Sequence, residues 1–288
     1  MLIFLLAIAA APSPDFSAPQ AQLDFIDALD RGWRYSAVLE DSESGESFVV
    51  TVTNPGSGTY LLFDAGTAFA GPDDIQPAVV TEDLLVFIPA GATKQVALTH
   101  ACGSAYADSG MPGTRYEEGV GTISKELAHI LDRFHEELSE PDIAVQDLVW
   151  VYTDAHDVAS IYVKEADQAA LMRILDEEVK DFEAPGYAIQ YKEPESEEGA
   201  RFTGEAMEAR CEVHVNLPSA MSCKVVLLQP DGGRLDMMSG VEMSTGRHEF
   251  FLTIGLEGYP PGDYTLQLEG ERFGQTLFSR DIRLQGRG

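Results

Sequence analysis

The sequence predicts an α+β fold in which a β-sandwich-like N-terminal module with a helical segment is linked to a second, C-terminal β-sandwich. Short β-branched runs separated by turn residues occupy residues 47–98, apolar residues then recur at spacings of three and four, and short runs resume after residue 210. A chain of 288 residues is long enough for two ordinary domains.

The beginning of the chain, residues 1–22, has the features of a signal peptide and leader. An apolar run from Leu2 to Ala10 is followed by small residues, as in the core and cleavage region of a secretory signal. No Lys or Arg precedes the run, so the usual positive start is missing, and a buried N-terminal strand is the alternative. The run is shorter than the roughly 20 apolar residues of a membrane helix. We therefore expect export, and no transmembrane span in the mature chain.

The N-terminal module, residues 23–182, is expected to pass from strands to helices. Turn signals such as Asn54-Pro55-Gly56 separate the strand-like runs. The strands are expected at residues 47–53, 60–63, 79–80, 84–88 and 95–98. Apolar residues at helical spacing then predict helices over residues 123–138, 143–152 and 171–179.

An acidic linker is expected at residues 183–204, because prolines and a run of glutamates coincide there with low hydrophobicity. Residues 205–288 form the predicted C-terminal module. Turn residues at 231–233 and 260–263 separate its strand-like runs. Its strands are expected at residues 211–217, 224–228, 248–254, 264–269 and 276–284.

The charge of the chain is strongly acidic, with 48 Asp and Glu against 19 Lys and Arg and a formal net charge of -29. Such a field repels phosphate backbones, so nucleic acid is excluded as a partner. The acidic stretches at residues 41–46 and 73–74 are oxygen-rich and could hold calcium weakly. Neither has the EF-hand pattern, and solvated acidic loops are commoner, so we expect no cofactor and no built metal site.

The chain has three cysteines. Cys211 and Cys223 flank a predicted hairpin around Pro218, where a cross-strand disulfide is expected, with two small buried thiols as the alternative. That pairing leaves Cys102 over, and a remaining thiol in an oxidising compartment is prone to oxidation or mispairing.

One pattern in residues 36–155 involves Cys102. The cysteine follows a strand-like run in the sequence Leu98-Thr99-His100-Ala101-Cys102, and the second predicted helix carries Val145-Gln146-Asp147-Leu148-Val149-Trp150. A cysteine followed by apolar-Gln-x-x-apolar-Trp resembles the thioester domain of bacterial surface adhesins. The resemblance implies that Cys102 and Gln146 form a covalent thioester that captures amines, with Trp150 and His100 as supporting residues. Ala101 and Asp147 depart from the family, which has a large apolar residue before the cysteine and a small residue after the glutamine.

A second resemblance covers residues 207–285. The turn Asp231-Gly232-Gly233-Arg234, the strand beginning Gly262-Asp263-Tyr264 and a basic last strand are similar to the immunoglobulin-like modules at the C-termini of exported proteins. These include the sorting domain of type IX secretion and its flagellar-hook-capping relative. A lysine expected near the end of the sorting domain is missing.

Together these patterns predict a secreted, periplasmic or cell-surface protein of the binding or adhesion type, with a protein or surface-amine ligand. The first alternative is a structural spacer of an envelope or extracellular assembly, without covalent chemistry. The second is a secreted hydrolase. The motifs G-x-S-x-G and H-E-x-x-H and a phosphate-binding glycine loop are absent from the sequence, so a protein that is not an enzyme is favoured.

Overall fold

A computed structural model describes residues 22–42, 45–72, 74–180, 182–183, 185–192, 202–272 and 274–287. Within these ranges strands in several sheets predominate, one short helix lies among the first strands, and three longer helices follow that group. The predicted β-rich fold with a helical segment is therefore confirmed. Apart from Gln22, the expected signal peptide and leader lie outside the described residues.

The first group of strands forms three small sheets. The strands are β1 (Gln22–Asp24), β2 (Arg34–Ser42), β3 (Gly45–Thr53), β4 (Thr59–Phe63), β5 (Thr67–Ala70), β6 (Ala78–Val80), β7 (Leu84–Ile88), β8 (Thr93–Leu98), β9 (His100–Cys102) and β10 (Gly119–Thr122). The sheet orders are β1-β4-β7, β2-β3-β8 and β10-β5-β6-β9. All five strands predicted before residue 100 are present, and β9 lies at the edge of its sheet.

Four α-helices lie in the described part of the chain. They are α1 (Phe25–Asp30), α2 (Lys125–Glu137), α3 (Pro141–Asp154) and α4 (Gln168–Glu178). The starts of α2 and α3 are recognisable in the sequence. The side chain of Ser124 caps α2 by accepting the Leu127 N–H at 2.9 Å. Proline occupies the first turn of α3, where its missing N–H costs no helical hydrogen bond. The three helices predicted from apolar spacing are confirmed as α2, α3 and α4.

The sheet β10-β5-β6-β9 is buried on both faces. On one face Phe69 and Val80 belong to the core formed with the other two sheets. On the opposite face Val79 and Ala101 belong to the core formed with α2, α3 and α4. This double burial fixes the sheet between the other strands and the helices, so its edge strand β9 lies next to α3.

The last seven strands belong to two sheets around one core. They are β11 (Tyr187–Tyr191), β12 (Ala206–Leu217), β13 (Met221–Leu228), β14 (Arg234–Met243), β15 (Gly246–Gly255), β16 (Gly262–Gly270) and β17 (Gln275–Leu284). The sheet orders are β11-β12-β15 and β14-β13-β16-β17, and buried residues of both sheets form a single cluster. The five predicted C-terminal strands are present, together with β11 and β14, which were not expected.

The expected disulfide between Cys211 and Cys223 is not formed. Both thiols are free and buried in the core shared by the two sheets. Cys211 lies on β12, which pairs with β11 and β15, whereas Cys223 lies on β13, which pairs with β14 and β16. The chain crosses from one sheet to the other at Pro218 instead of forming a hairpin, so these cysteines act as small buried side chains.

The predicted linker at residues 183–204 is partly ordered secondary structure. Tyr187–Tyr191 is strand β11, paired antiparallel with β12, and Phe202 is buried. The glutamate-rich stretch of the expected linker, residues 193–201, lies outside the described residues. The linker prediction was therefore wrong for Tyr187–Tyr191, because the apolar residues Ala188 and Ile189 are buried within an otherwise polar stretch.

Among the described residues, no helix combines the length and apolar character needed to cross a membrane.

Candidate functional site

Strand β9 pairs with another strand along only one of its two backbone edges, and the other edge faces α3. Its neighbour β6 pairs Val79 with Ala101, and the Gly103 N–H donates to Pro77 O at 2.7 Å. In an antiparallel pair, successive residues direct their backbone groups to opposite sides. The N–H and C=O of Cys102 therefore point away from β6, toward α3.

The side chain of Gln146 occupies that open edge. Its Oε1 accepts the Cys102 N–H at 2.8 Å, and its Nε2 donates to Cys102 O at 2.8 Å. Two residues that are 44 positions apart in the sequence are thus in direct contact. The structure brings together the candidate residues Cys102 and Gln146.

Helix α3 holds Gln146 at this position because its neighbours are anchored in the core. Ala144, Val145, Leu148 and Val149 are buried, and they fix the rotation of the helix. Gln146 is half-buried between these anchors. Its carboxamide, a polar group that would be costly to bury without partners, bonds the backbone of Cys102 through both its oxygen and its nitrogen.

The loop that follows Cys102 is held by Asp154, the last residue of α3. The Asp154 carboxylate accepts the Ala105 N–H through a short hydrogen bond and the Ser104 hydroxyl at 3.3 Å. The Ser104 hydroxyl also accepts the Tyr106 N–H at 3.3 Å. One helix therefore contacts both Cys102 and the loop that follows it.

Trp150 and His100 occupy separate surroundings. His100 precedes Cys102 on β9, and its ring lies 5.3 Å from the Phe48 ring, centroid to centroid. Burial lowers the pKa of His100, which favours the neutral imidazole. Trp150 packs against His156 and Phe202 with ring centroids 5.7 and 5.9 Å away. The Trp150 ring therefore lies in an aromatic cluster with His156 and Phe202, and its supporting role stays a prediction.

An aromatic cluster joins the site to the C-terminal strands. The ring of Phe202 lies 4.8 Å from His156 and 4.7 Å from Tyr191, centroid to centroid. The Phe202 N–H donates to Ala105 O at 2.8 Å. The segment just before β12 thus contacts the loop that follows Cys102.

Asp147 stands where the resembling thioester domains have a small residue. Its side chain contacts a different part of the chain from the side chain of Gln146. Its carboxylate accepts the Tyr162 N–H at 3.0 Å. Burial raises the pKa of Asp147 to about 8, and the hydrogen bond from Tyr162 lowers it only in part. The side chain is therefore mostly protonated at neutral pH.

The raised pKa of Asp147 predicts a pH-dependent stability. The folded protein holds the proton up to about pH 8, whereas the unfolded chain releases it near the ordinary value of 3.8. The stabilisation from this proton is complete below pH 3.8 and is lost as the pH rises to about 8, by up to about 1.4 kcal/mol per pH unit. Asp147→Asn keeps an oxygen for the Tyr162 N–H and does not titrate.

We expect Asp147→Asn to melt at a higher temperature than the wild type at pH 8, and the difference to shrink as the pH falls to 4. Thermal unfolding of both proteins across this range measures the effect. Equal differences at pH 4 and pH 8 would contradict a raised pKa at this position.

The two acidic stretches considered for calcium fall partly outside the described residues, including Asp73 and residues 43–44. In the described part of the chain, no group of three or more His, Cys, Asp or Glu side chains is arranged to hold a metal ion.

Two residues that contact the loop after Cys102, Asp154 and Phe202, were not predicted from the sequence. Asp154 carried one local signal, because an acid at a helix C-terminus is unusual where it meets the negative end of the helix dipole. Phe202 lay within the expected linker, where a lone aromatic residue beside a run of glutamates was the available signal.

No protein-family model matches the chain, and no curated protein matches it. Among solved structures, the chain is similar to a β-glucosidase from Kluyveromyces marxianus in complex with glucose, at 8% identity and a TM-score of 0.22. The alignment covers 87% of this chain and 50% of the β-glucosidase, so the chain spans about half the length of that enzyme. A likeness this weak carries no argument about fold or function.

Proposed function

We propose that this chain is an exported or cell-surface binding protein that captures amines through an internal thioester between Cys102 and Gln146. The observation that carries the proposal is the double hydrogen bond of 2.8 Å by which the Gln146 carboxamide contacts the backbone of Cys102. These bonds hold the carboxamide beside the backbone of the residue that carries the thiol, and such proximity of the two reacting groups is a large part of what the reaction requires.

The direction of approach also favours thioester formation. Two hydrogen bonds hold the carboxamide close to the plane of the Cys102 backbone groups, because donors prefer to lie near the plane of a carbonyl. A side chain on a strand stands roughly perpendicular to its sheet. With the Cys102 side chain turned toward α3, the thiol would approach the amide carbon of Gln146 from above its plane, the side from which a nucleophile adds.

The reaction balances without a further reactant. The Cys102 Sγ forms a bond to the Gln146 Cδ, the Cδ–Nε2 bond breaks, and the thiol proton leaves with Nε2 as ammonia. An amine then adds to the same carbon, the C–S bond breaks, and the proton released by the amine restores the thiol. The product is an amide between residue 146 and the captured amine.

In both steps negative charge develops on the Oε1 atom of Gln146. This oxygen already accepts the Cys102 N–H at 2.8 Å, so the donor is in place before charge appears. A preorganised donor of this kind stabilises the tetrahedral intermediate, and removing one costs about 100-fold or more in acyl-transfer enzymes.

The charge of the chain supports an amine-bearing partner. Primary amines on protein surfaces are cations at neutral pH, and the net charge of -29 raises their concentration near the molecule. A partner rich in exposed lysine side chains fits this field, and nucleic acid does not. Secretion, periplasmic location or surface display would bring the site to such a partner.

For the C-terminal part, residues 205–288, we propose an immunoglobulin-like β-sandwich that serves as a spacer or sorting module. Two sheets that share one core support this reading. We propose a β-sandwich-like arrangement for the N-terminal strands on the same ground, since the sheets β1-β4-β7 and β2-β3-β8 share a core.

Labelling with methylamine tests the proposed capture. We expect methylamine to attach to residue 146 of the folded wild type, and peptide mass spectrometry locates it. Cys102→Ala removes the nucleophile and should abolish labelling, whereas Cys223→Ala removes a buried thiol of the other module and should leave labelling unchanged. Absence of label from folded wild type would favour the structural spacer, and label retained in Cys102→Ala would exclude the thioester.

A further inference from the structure

Helix α3 holds the segment from Cys102 to Ala105 at both ends. Gln146 binds the N–H and C=O of Cys102, and Asp154 binds the Ala105 N–H and the Ser104 hydroxyl. Eight helical residues rise about 12 Å, and three residues of chain span at most about 10 Å. The side chains of Gln146 and Asp154 therefore reach from two points on the helix to the two ends of the segment.

The position of Asp154 is unfavourable for the helix itself. A carboxylate in the last turn faces the negative end of the helix dipole, where a basic residue is preferred. The helix then ends in the left-handed conformation of Ala155, at φ 53°, which is rare for a residue other than glycine. The interactions that offset these costs are the bonds of Asp154 to Ala105 and Ser104.

The opposite side of the segment leaves little freedom. The Gly103 N–H is bound to Pro77 O at 2.7 Å, and Ala105 O accepts the Phe202 N–H at 2.8 Å. Ala105 is fully buried. Ala105 lies only three positions after Cys102, so a shift at Ala105 is passed to Cys102 through a short stretch of backbone.

We infer that Asp154 is a positioning residue for the proposed thioester: it fixes the loop after Cys102 against α3 and thereby sets the thiol in register with the Gln146 carboxamide. This inference rests on the proposed function. The hydrogen bonds by which Asp154 fixes the loop do not depend on it. Loss of the Asp154 carboxylate removes the bonds that hold Ala105 and Ser104 to α3 and leaves the bond from the Phe202 N–H at that end of the segment. Displacements of about 1 Å at reacting groups can lower a rate about 100-fold.

The test compares Asp154→Ala, Asp154→Asn and the matched control Asp157→Ala in the full chain. Asp157 is a nearby carboxylate that instead caps a short turn through the Ala159 N–H at 2.9 Å. For each folded protein, intact mass gives the fraction that has lost ammonia, and hydrogen exchange gives the protection of the amides of Cys102 and Ala105. Thermal unfolding identifies any variant that is simply misfolded.

We expect the ammonia-loss fraction of Asp154→Ala to fall at least about tenfold, with faster exchange at Cys102 and Ala105. Asp154→Asn, which keeps an acceptor oxygen, should be intermediate, and Asp157→Ala should match the wild type. Wild-type values for Asp154→Ala in both measurements would overturn the inference and leave the Cys102–Gln146 proposal standing.

The two proposals fail in different ways. If the wild type shows no loss of ammonia, the proposed thioester is refuted. Hydrogen exchange then tests whether Asp154 fixes the loop after Cys102. Faster exchange of the Cys102 amide in Asp154→Ala would support this role, and unchanged exchange would overturn it. If Asp154→Ala does not fold, Asp154→Asn and Ser104→Ala, which removes the second hydrogen bond to the carboxylate, provide the same comparison.

Discussion

Gly103→Ala is expected to lower the free energy of unfolding by about 2 to 3 kcal/mol and to prevent the loss of ammonia from Gln146. A Cβ atom at residue 103 would lie 2.8 Å from Pro77 O and 3.0 Å from a methyl carbon of Val79. Because Pro77 O is a backbone atom, no side-chain rotation can relieve this clash. The segment must move off β6, which breaks the Gly103–Pro77 hydrogen bond and shifts the neighbouring residue, Cys102.

The control for this substitution is Gly121→Ala on β10, in the same sheet. A Cβ atom there meets nothing within 4 Å, so we expect a change within about 0.5 kcal/mol and an unchanged ammonia-loss fraction. Chemical denaturation measures the first quantity and intact mass the second. Equal stability of Gly103→Ala and Gly121→Ala would contradict the close approach of the segment to Pro77.

Phe69→Ala is expected to have the largest effect on stability, a loss of about 4 kcal/mol. The Phe69 side chain on β5 is fully buried. Its ring lies 5.2 Å from Phe48, 5.5 Å from Phe25 and 5.9 Å from Tyr35, centroid to centroid. Truncation removes these contacts and leaves a cavity between the sheet that carries Cys102 and the other strands.

Phe87→Ala is the matched control, since it removes the same side chain from a site on β7 that is 40% exposed. We expect it to cost less than about 1 kcal/mol. Unfolding by denaturant compares the two variants. A cost for Phe69→Ala as small as that for Phe87→Ala would show that the sheet β10-β5-β6-β9 is not packed against the other strands as described.

Local signals in the sequence were sufficient where one face of an element is buried. Leu127, Ile130, Leu131 and Phe134 recur at helical spacing, and all four are buried on α2. Strand β14 was missed because it is largely exposed and because Met238, Ser239 and Gly240 interrupt the alternation of its side chains. The pairing of strands in the C-terminal part could not be predicted either, because sequence neighbours such as β12 and β13 belong to different sheets.

The candidate site was predictable only in part, because its contacts join distant segments. Family resemblance selected Cys102 and Gln146, whereas spacing alone could not place them together across 44 positions. Asp154 had a local signal, an acid at a helix C-terminus. Its partners in the loop after Cys102 could not be predicted from that signal, because they lie about 50 positions earlier in the sequence. Phe202 follows the helices in the sequence and lies between β11 and β12. Its contact with Ala105 therefore depends on how the C-terminal strands pack against the loop after Cys102.

The most direct measurement is the mass of the untreated, gently purified protein compared with that of Cys102→Ala. A bond between the sulfur of residue 102 and the acyl carbon of residue 146 would make the wild type lighter than its calculated mass by one molecule of ammonia, and the variant would show no such deficit. A folded wild-type protein at its full calculated mass, with residue 146 still a glutamine, would contradict the thioester.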